Sequence, residues 1–208
     1  ITGAARLGYP LVLSLHDLFF ACHRNHLLNN DLELCVGPDK GKNCDDCLKA
    51  VAKPEEALHR YDYFTKILRI PKQVVVPSLF LARRITEIFP FLEPNLNVIG
   101  PGIPEVPRIS RKRKAADVFR LACIGVLMPH KGQNILVEAV RKSGASDIEI
   151  SFYGGEVAAY GSYLRQLKKD ASGLRISFPG PYEHDKLGEI LASQDALIVA
   201  SICEETYS

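Results

Sequence analysis

Short apolar runs rich in Val, Ile and Leu alternate along the chain with stretches whose apolar positions repeat at a helical period. The pattern predicts strands at residues 11–15, 74–76, 97–99, 119–124, 148–153, 175–178 and 196–200. Helices are predicted at 55–68, 79–89, 133–141, 160–169 and 186–192. Several strands are continuous apolar runs rather than alternating ones, the pattern of strands buried on both faces between helices. Strand–helix alternation of this kind points to α/β architecture with doubly wound parallel sheets.

One stretch breaks the alternation. "NVIGPGIPEVPRISRKRKAAD" (97–117) combines Gly, Pro and a basic run, which is linker chemistry, because Pro lacks a ladder donor and Gly costs entropy in a strand. A boundary here divides the chain into 1–108 and 109–208. The first half opens on the tail of a helix and the second ends on a strand with no following helix, so each half is expected to be incomplete.

Composition narrows the class. The chain has 208 residues, 47% hydrophobic and 24% charged, with a formal net charge of +2, so no strong field argues for a nucleic-acid partner. The basic run Arg111–Lys114 reads as a solvated linker face. The longest apolar runs fall far short of the ~20 residues that span a bilayer, and the start has no signal-peptide core. A reducing cytoplasmic setting is the expectation, with peripheral membrane attachment compatible with it. Of the six cysteines, Cys123 and Cys203 lie in apolar runs and read as core residues.

Three stretches carry chemistry. "LACIGVLMPHKGQNILVEAV" (121–140) is a strand, a loop with Gly125, Lys131 and Gly132, and then a helix. Helix N-termini beyond the carboxyl ends of parallel strands favour anions, and a lysine there adds a point charge suited to phosphate; a solvated surface lysine is the plainer alternative. The closing "ALIVASICEETYS" places Glu204 and Glu205 at a strand exit, where carboxylates can hold sugar hydroxyls or simply form a polar end.

The third stretch, residues 22–47, holds Cys22, Cys35, Cys44 and Cys47 at C-x12-C-x8-C-x2-C spacing, with His23 and His26 nearby. Four soft ligands suit a structural zinc ion, and all-thiolate coordination leaves no open position for catalysis. A disulfide and reduced thiols remain the alternatives.

Taken together, "CIGVLMPHKGQNILVEAV", "ISFYGG" and "ISFPGPYEHDKLGEILASQDALIVASICEETYS" resemble the donor-sugar domain of the family-4 (group 1) glycosyltransferases of GT-B fold. In that family a G-R-x-x-x-x-K-G loop holds the diphosphate of a nucleotide sugar, and a P-S-x-x-E-x-F motif opens a pair of glutamates at the donor. Gly125, Lys131, Gly132, Ser201, Glu205 and Tyr207 match those motifs. Val126 departs, standing where many relatives carry a diphosphate-binding Arg, and Ala200 replaces the Pro. In the first half, "GYPLVLSLHDLFFACHRNHLL", "VVVPSLFLARRI" and "NVIGPGIP" are similar to the family's strand–loop, strand–helix and hinge motifs.

The resemblance implies two Rossmann-like domains with parallel sheets facing across a cleft, truncated at both ends in this chain. It implies a retaining transferase that moves a sugar from a nucleotide-diphosphate donor to a glycan, lipid-linked or polysaccharide acceptor. No catalytic cofactor is needed. Lys131 with Gly125 and Gly132 would hold the diphosphate, and backbone near Pro181 and Tyr182 would meet the base. Glu205 would orient donor hydroxyls, and His16, at a strand end, would sit beside the reacting sugar. Asp17 reads as a cap of the following turn. The 208 residues alone are expected to bind donor without turnover. Two other readings are open: a catalytically silent relative acting as a binding or regulatory protein, suggested by Val126, and a zinc-clipped nucleic-acid-binding protein.

Overall fold

The computed structural model describes residues 1–48, 54–102 and 118–207. The chain packs as two units, one formed by Ile1–Ile103 with Cys203–Ser208 and the other by Pro104–Ile202. The boundary expected at 108/109 and the basic run at 111–114 lie outside the described residues.

The first unit carries a three-stranded parallel sheet in the order β1-β2-β3: β1 Val12–Ser14, β2 Gln73–Val76 and β3 Leu96–Val98. Helices α1 Thr2–Arg6, α2 Asp45–Leu48, α3 Pro54–Leu68 and α4 Leu79–Ile88 accompany it. Leu15, Leu18, Leu27, Leu68, Val74, Val76, Leu81, Ile85 and Phe89 form its buried core. Helix α4 begins where Ser78, held extended, accepts a hydrogen bond from the Leu81 N–H at 3.1 Å. This satisfies one of the four donors that every helix start leaves open.

The second unit carries β4 Phe119–Ile124, β5 Ile148–Tyr153, β6 Ile176–Gly180 and β7 Ala196–Leu197, all parallel, in the order β6-β5-β4-β7. Helices α5 Gln133–Ser143, α6 Gly161–Asp170 and α7 Leu187–Ser193 follow β4, β5 and β6. Its core joins Cys123 and Phe152 from the sheet to Val137 and Val140 of α5 and Leu164 and Leu167 of α6. Both units are therefore α/β with parallel sheets, as the alternation predicts.

Burial on both faces holds for β4 and β5 alone, whereas β2 is buried on one face, with Gln73 exposed and Val75 half-buried on the other. Val74 and Val76 of β2 and Ala122 and Phe152 of β4 and β5 are fully buried. The outer strands β1 and β7 are shorter than the apolar runs that predict them. Val12 is 69% exposed and Leu197 51% exposed, because each lies on a strand with a neighbour on one side only. The expected strand at 175–178 shifts to Ile176–Gly180 and the expected helix at 133–141 runs on to Ser143. Among the described residues no helix is long and apolar enough to cross a membrane.

Candidate functional site

In the second unit the chain runs outward from β4 through β5 to β6, then returns to the opposite side of β4 for β7. The strand order reverses between β4 and β7, and in open parallel sheets this reversal is where ligands bind, at the carboxyl ends of the strands. The β4–α5 loop occupies that position. Ile124 ends the strand, Gly125 leaves it at φ +153°, and Pro129–Lys131 form one 3-10 turn. Gly132 then enters α5 in the left-handed conformation at φ +70°.

The loop is fixed from both neighbouring strands. On the β7 side the Ile202 N–H donates to the His130 carbonyl at 3.0 Å. A Cβ at Gly132 would lie 2.0 Å from the Ala200 oxygen, so only glycine admits this approach. On the β5 side Leu127 N–H donates to the Gly155 carbonyl at 3.1 Å, and a Cβ at Gly154 would meet the Gly125 oxygen at 1.9 Å. Beneath the loop the Gln133 side chain, 1% exposed, donates to the Val126 carbonyl at 3.0 Å and accepts from the Tyr163 hydroxyl at 3.2 Å. Gln133 was not singled out by sequence pattern; a polar residue on the apolar face of a helix was the available signal.

Lys131 lies half-buried at the end of the 3-10 turn, two residues before α5 begins. Its charge reaches Cys123, whose thiol burial pushes up while an Ala200 backbone hydrogen bond and Lys131 pull it back down; the net direction is upward. Pro181 and Tyr182 follow β6, and the Tyr182 ring meets Tyr153 edge-on at 6.2 Å. Gly125, Lys131, Gly132, Pro181 and Tyr182 thus share the carboxyl edge of one sheet. Val126, the next residue of the loop after Gly125, is 39% exposed.

The other expected site residues belong to the first unit. His16 follows β1, exposed, and Asp17 Oδ1 accepts from the Phe19 N–H at 2.8 Å, which makes it the turn cap that its position predicts. The segment Cys203–Tyr207 packs here as well. Thr206 Oγ1 donates to the His16 carbonyl at 2.9 Å, and Ser78 Oγ donates to the Thr206 carbonyl at 2.5 Å. Glu204 accepts from Arg84 Nε at 2.7 Å. Thr206, the residue after Glu205, is thus tied to the His16 main chain, whereas Glu204 is committed to Arg84. Cys203, expected in the core, is only half-buried in this segment.

Cys22, Cys35, Cys44 and Cys47 all line one small cavity of the first unit, and none is in a disulfide. Among the described residues no group of three or more His, Cys, Asp or Glu side chains stands at a separation that holds a metal ion. Burial pushes the Cys47 thiol up, against the opposing pull of the Arg24 guanidinium.

The two parallel-sheet units, with a glycine–lysine loop at the strand-order reversal of the second, define an α/β protein of Rossmann-like units with the GT-B type of fold. Solved structures bear this out. HepE of Anabaena, crystallised with UDP and glucose, is 17% identical and superposes with a TM-score of 0.62 over 97% of this chain and 49% of its own. Sucrose-phosphate synthase of Thermosynechococcus elongatus is 16% identical, with a TM-score of 0.57 over 78% of this chain and 43% of its own. Among curated proteins, the GPI3 subunit of phosphatidylinositol N-acetylglucosaminyltransferase of Saccharomyces cerevisiae is 26% identical over 113 residues, 53% of this chain and 25% of the subunit. No protein-family model matches. The chain thus spans about half the length of these solved structures and a quarter of the yeast subunit.

Proposed function

We propose that this chain is part of a retaining glycosyltransferase of the family-4 kind that uses a nucleotide-diphosphate sugar. The observation that carries the reading is the β4–α5 loop at the strand-order reversal, with Lys131 two residues before α5 begins. The Lys131 ammonium and the open N–H groups of the helix start supply fixed positive charge to a diphosphate. When the anomeric C–O bond breaks, its electrons pass to the departing phosphate oxygen, and a fixed cation beside that oxygen lowers the barrier. Pro181 and Tyr182 follow β6, and this reading gives them the contact with the base.

By the family resemblance, Glu205 accepts from donor hydroxyls and His16 hydrogen-bonds sugar or acceptor. The Thr206 hydroxyl on the His16 carbonyl, one residue along from Glu205, is the contact that supports this reading. The UDP in the HepE crystal supports a uridine nucleotide as donor. The likeness to a phosphatidylinositol N-acetylglucosaminyltransferase subunit supports a lipid-linked acceptor and peripheral attachment to a membrane.

Titration calorimetry with uridine- and guanosine-diphosphate sugars tests the reading. Wild type is expected to bind one of them, and Lys131→Ala to weaken binding about 10-fold or more, the loss of a charged hydrogen bond worth ~1.5–3 kcal/mol. Equal affinity of the two proteins removes Lys131 from the site. Val126 favours a second reading, a binding protein without turnover, because one planar bidentate donor is replaced by an aliphatic chain. Donor binding with no transfer in a chain that includes the flanking sequence would distinguish it.

A further inference from the structure

The four thiols of the first unit arrive from separate places in the chain. Cys22 closes the turn after β1, with its N–H on the Leu18 carbonyl at 2.7 Å. Cys35 sits on a returning loop, with its N–H on the Leu27 carbonyl at 2.7 Å. Cys44 ends the 3-10 stretch Asp39–Cys44, and Cys47 lies within α2. They nevertheless face one cavity of about 20 Å³, room for a single small ion.

Three further observations bear on what that cavity holds. Two of the sulfurs already accept main-chain hydrogen bonds in the same two-residue pattern, Cys22 from the Arg24 N–H at 3.3 Å and Cys35 from the Gly37 N–H at 3.4 Å. Such donors orient the sulfurs, as outer hydrogen bonds orient the ligands of a metal site.

Two guanidiniums also face the cluster. Arg24 hydrogen-bonds the Cys47 thiol. Arg60 interacts electrostatically with Cys22 and Cys44, while its plane lies 4.6 and 4.5 Å from the Phe19 and Phe64 ring centroids. Its Nε is buried with no hydrogen-bond partner. Four thiolates around a divalent cation leave two net negative charges, and two half-buried guanidiniums match them in number and place.

The backbone gives the third observation. Among the described residues, five non-glycine residues have positive φ, namely Asn25, Leu27, Leu32, Asp39 and Lys40, and all lie between Cys22 and Cys44. A leucine in that region is strained and persists only where its surroundings fix it.

We propose that Cys22, Cys35, Cys44 and Cys47 are the ligands of one structural zinc ion that pins residues 22–47 onto the first unit. Zinc suits four thiolates in a closed tetrahedron with no open position. Sulfurs at ~2.3 Å from one ion stand about 3.8 Å apart, so the ion draws the four side chains inward across the cavity they already share. The inference is independent of the sugar-transfer reading.

The test is metal analysis of the chain purified without chelator from zinc-supplemented cells. One zinc per chain is expected, released in step with modification of four thiols by a mercurial. Cys44→Ser with Cys47→Ser should abolish it, and Cys203→Ser should leave it intact. Arg60→Met should weaken zinc binding about 10- to 100-fold, as loss of an outer partner does. Because the double variant can fail to fold, cobalt(II) titration of the wild type stands beside it, and a tetrahedral tetrathiolate spectrum is expected. Zinc well below one equivalent, iron in its place, or a disulfide among the four cysteines overturns the proposal. So does zinc that survives the double substitution in a folded protein.

Discussion

Thr206 donates its hydroxyl to the main-chain oxygen of His16, 190 residues earlier, at 2.9 Å. The same residue accepts Ser78 Oγ at its carbonyl, at 2.5 Å. Ser78 therefore has two tasks, capping α4 through its lone pair and holding Thr206 through its proton. The two separate by substitution. Ser78→Ala loses both and is expected to destabilise the first unit by ~1–2 kcal/mol. Ser78→Asp keeps the cap and loses the donor, whereas Ser78→Asn can keep both. Urea denaturation should rank Asn above Asp above Ala; equal Asp and Ala would show that the cap contributes nothing.

Gly132 and Gly144 bracket α5 with nearly the same left-handed backbone, φ +70° and +64°. Their surroundings differ. A Cβ at Gly132 would overlap the Ala200 oxygen at 2.0 Å, while nothing lies within 4 Å of one at Gly144. Gly144→Ala should therefore cost only the conformational term, ~1–2 kcal/mol. Gly132→Ala adds the displacement of the β7 exit and should cost about 3 kcal/mol or more. Thermal or denaturant unfolding of the two variants decides the matter, and similar losses would mean that the loop and the β7 exit are not in contact.

The inner strands and the helices were legible in the sequence because their signals are local. Residues 119–124 and 148–153 appear unchanged as β4 and β5, since central strands need continuous apolar runs. The run at 196–200 gives only a two-residue strand, because an apolar run does not announce whether a partner flanks it on both sides. Glycine and lysine spacing pointed to the β4–α5 loop, but the contacts that hold the loop, from Gln133, Gly154 and Ala200, depend on the strand order. Arg84 was invisible for the same reason: its partner Glu204 is 120 residues away. Ser78 carried a readable cap signature, a serine directly before an apolar helix.

Cys123 links the sheet to the β4–α5 loop and offers a pH signature. Burial raises its thiol pKa above the ordinary 9.0, against a backbone hydrogen bond from Ala200 and the charge of Lys131. A group with a raised folded pKa stabilises fully below its unfolded value and loses that contribution as pH climbs through the folded one. Between those two values the unfolded chain has released the proton and the native chain has not. Wild-type stability should therefore fall above about pH 9 more steeply than that of Cys123→Ala, which starts lower because a buried group is removed. Parallel pH profiles of the two proteins from neutral to alkaline pH would show that the thiol titrates as it does in water.

Glu204 and Glu205 are adjacent and chemically identical, so opposite phenotypes would separate their roles. Burial alone would lower the Arg84 guanidinium pKa, but the hydrogen bonds it donates to Glu204 and Glu87 outweigh burial and hold it above its ordinary value. The Arg84 and Glu204 side chains are 16% and 22% exposed, between the surface pairs that contribute little and the buried pairs that cost several kcal/mol to break. Glu204→Gln is thus expected to lower stability by ~1–2 kcal/mol, and Arg84→Met combined with it should add less than the sum of the two. Donor affinity should hardly change. Glu205→Gln should instead weaken nucleotide-sugar binding by about 10- to 100-fold, one charged hydrogen bond to a sugar hydroxyl. Calorimetry and denaturation on the same two variants read both quantities. If Glu204→Gln is the one that loses donor, the sugar contact belongs to the carboxylate now paired with Arg84.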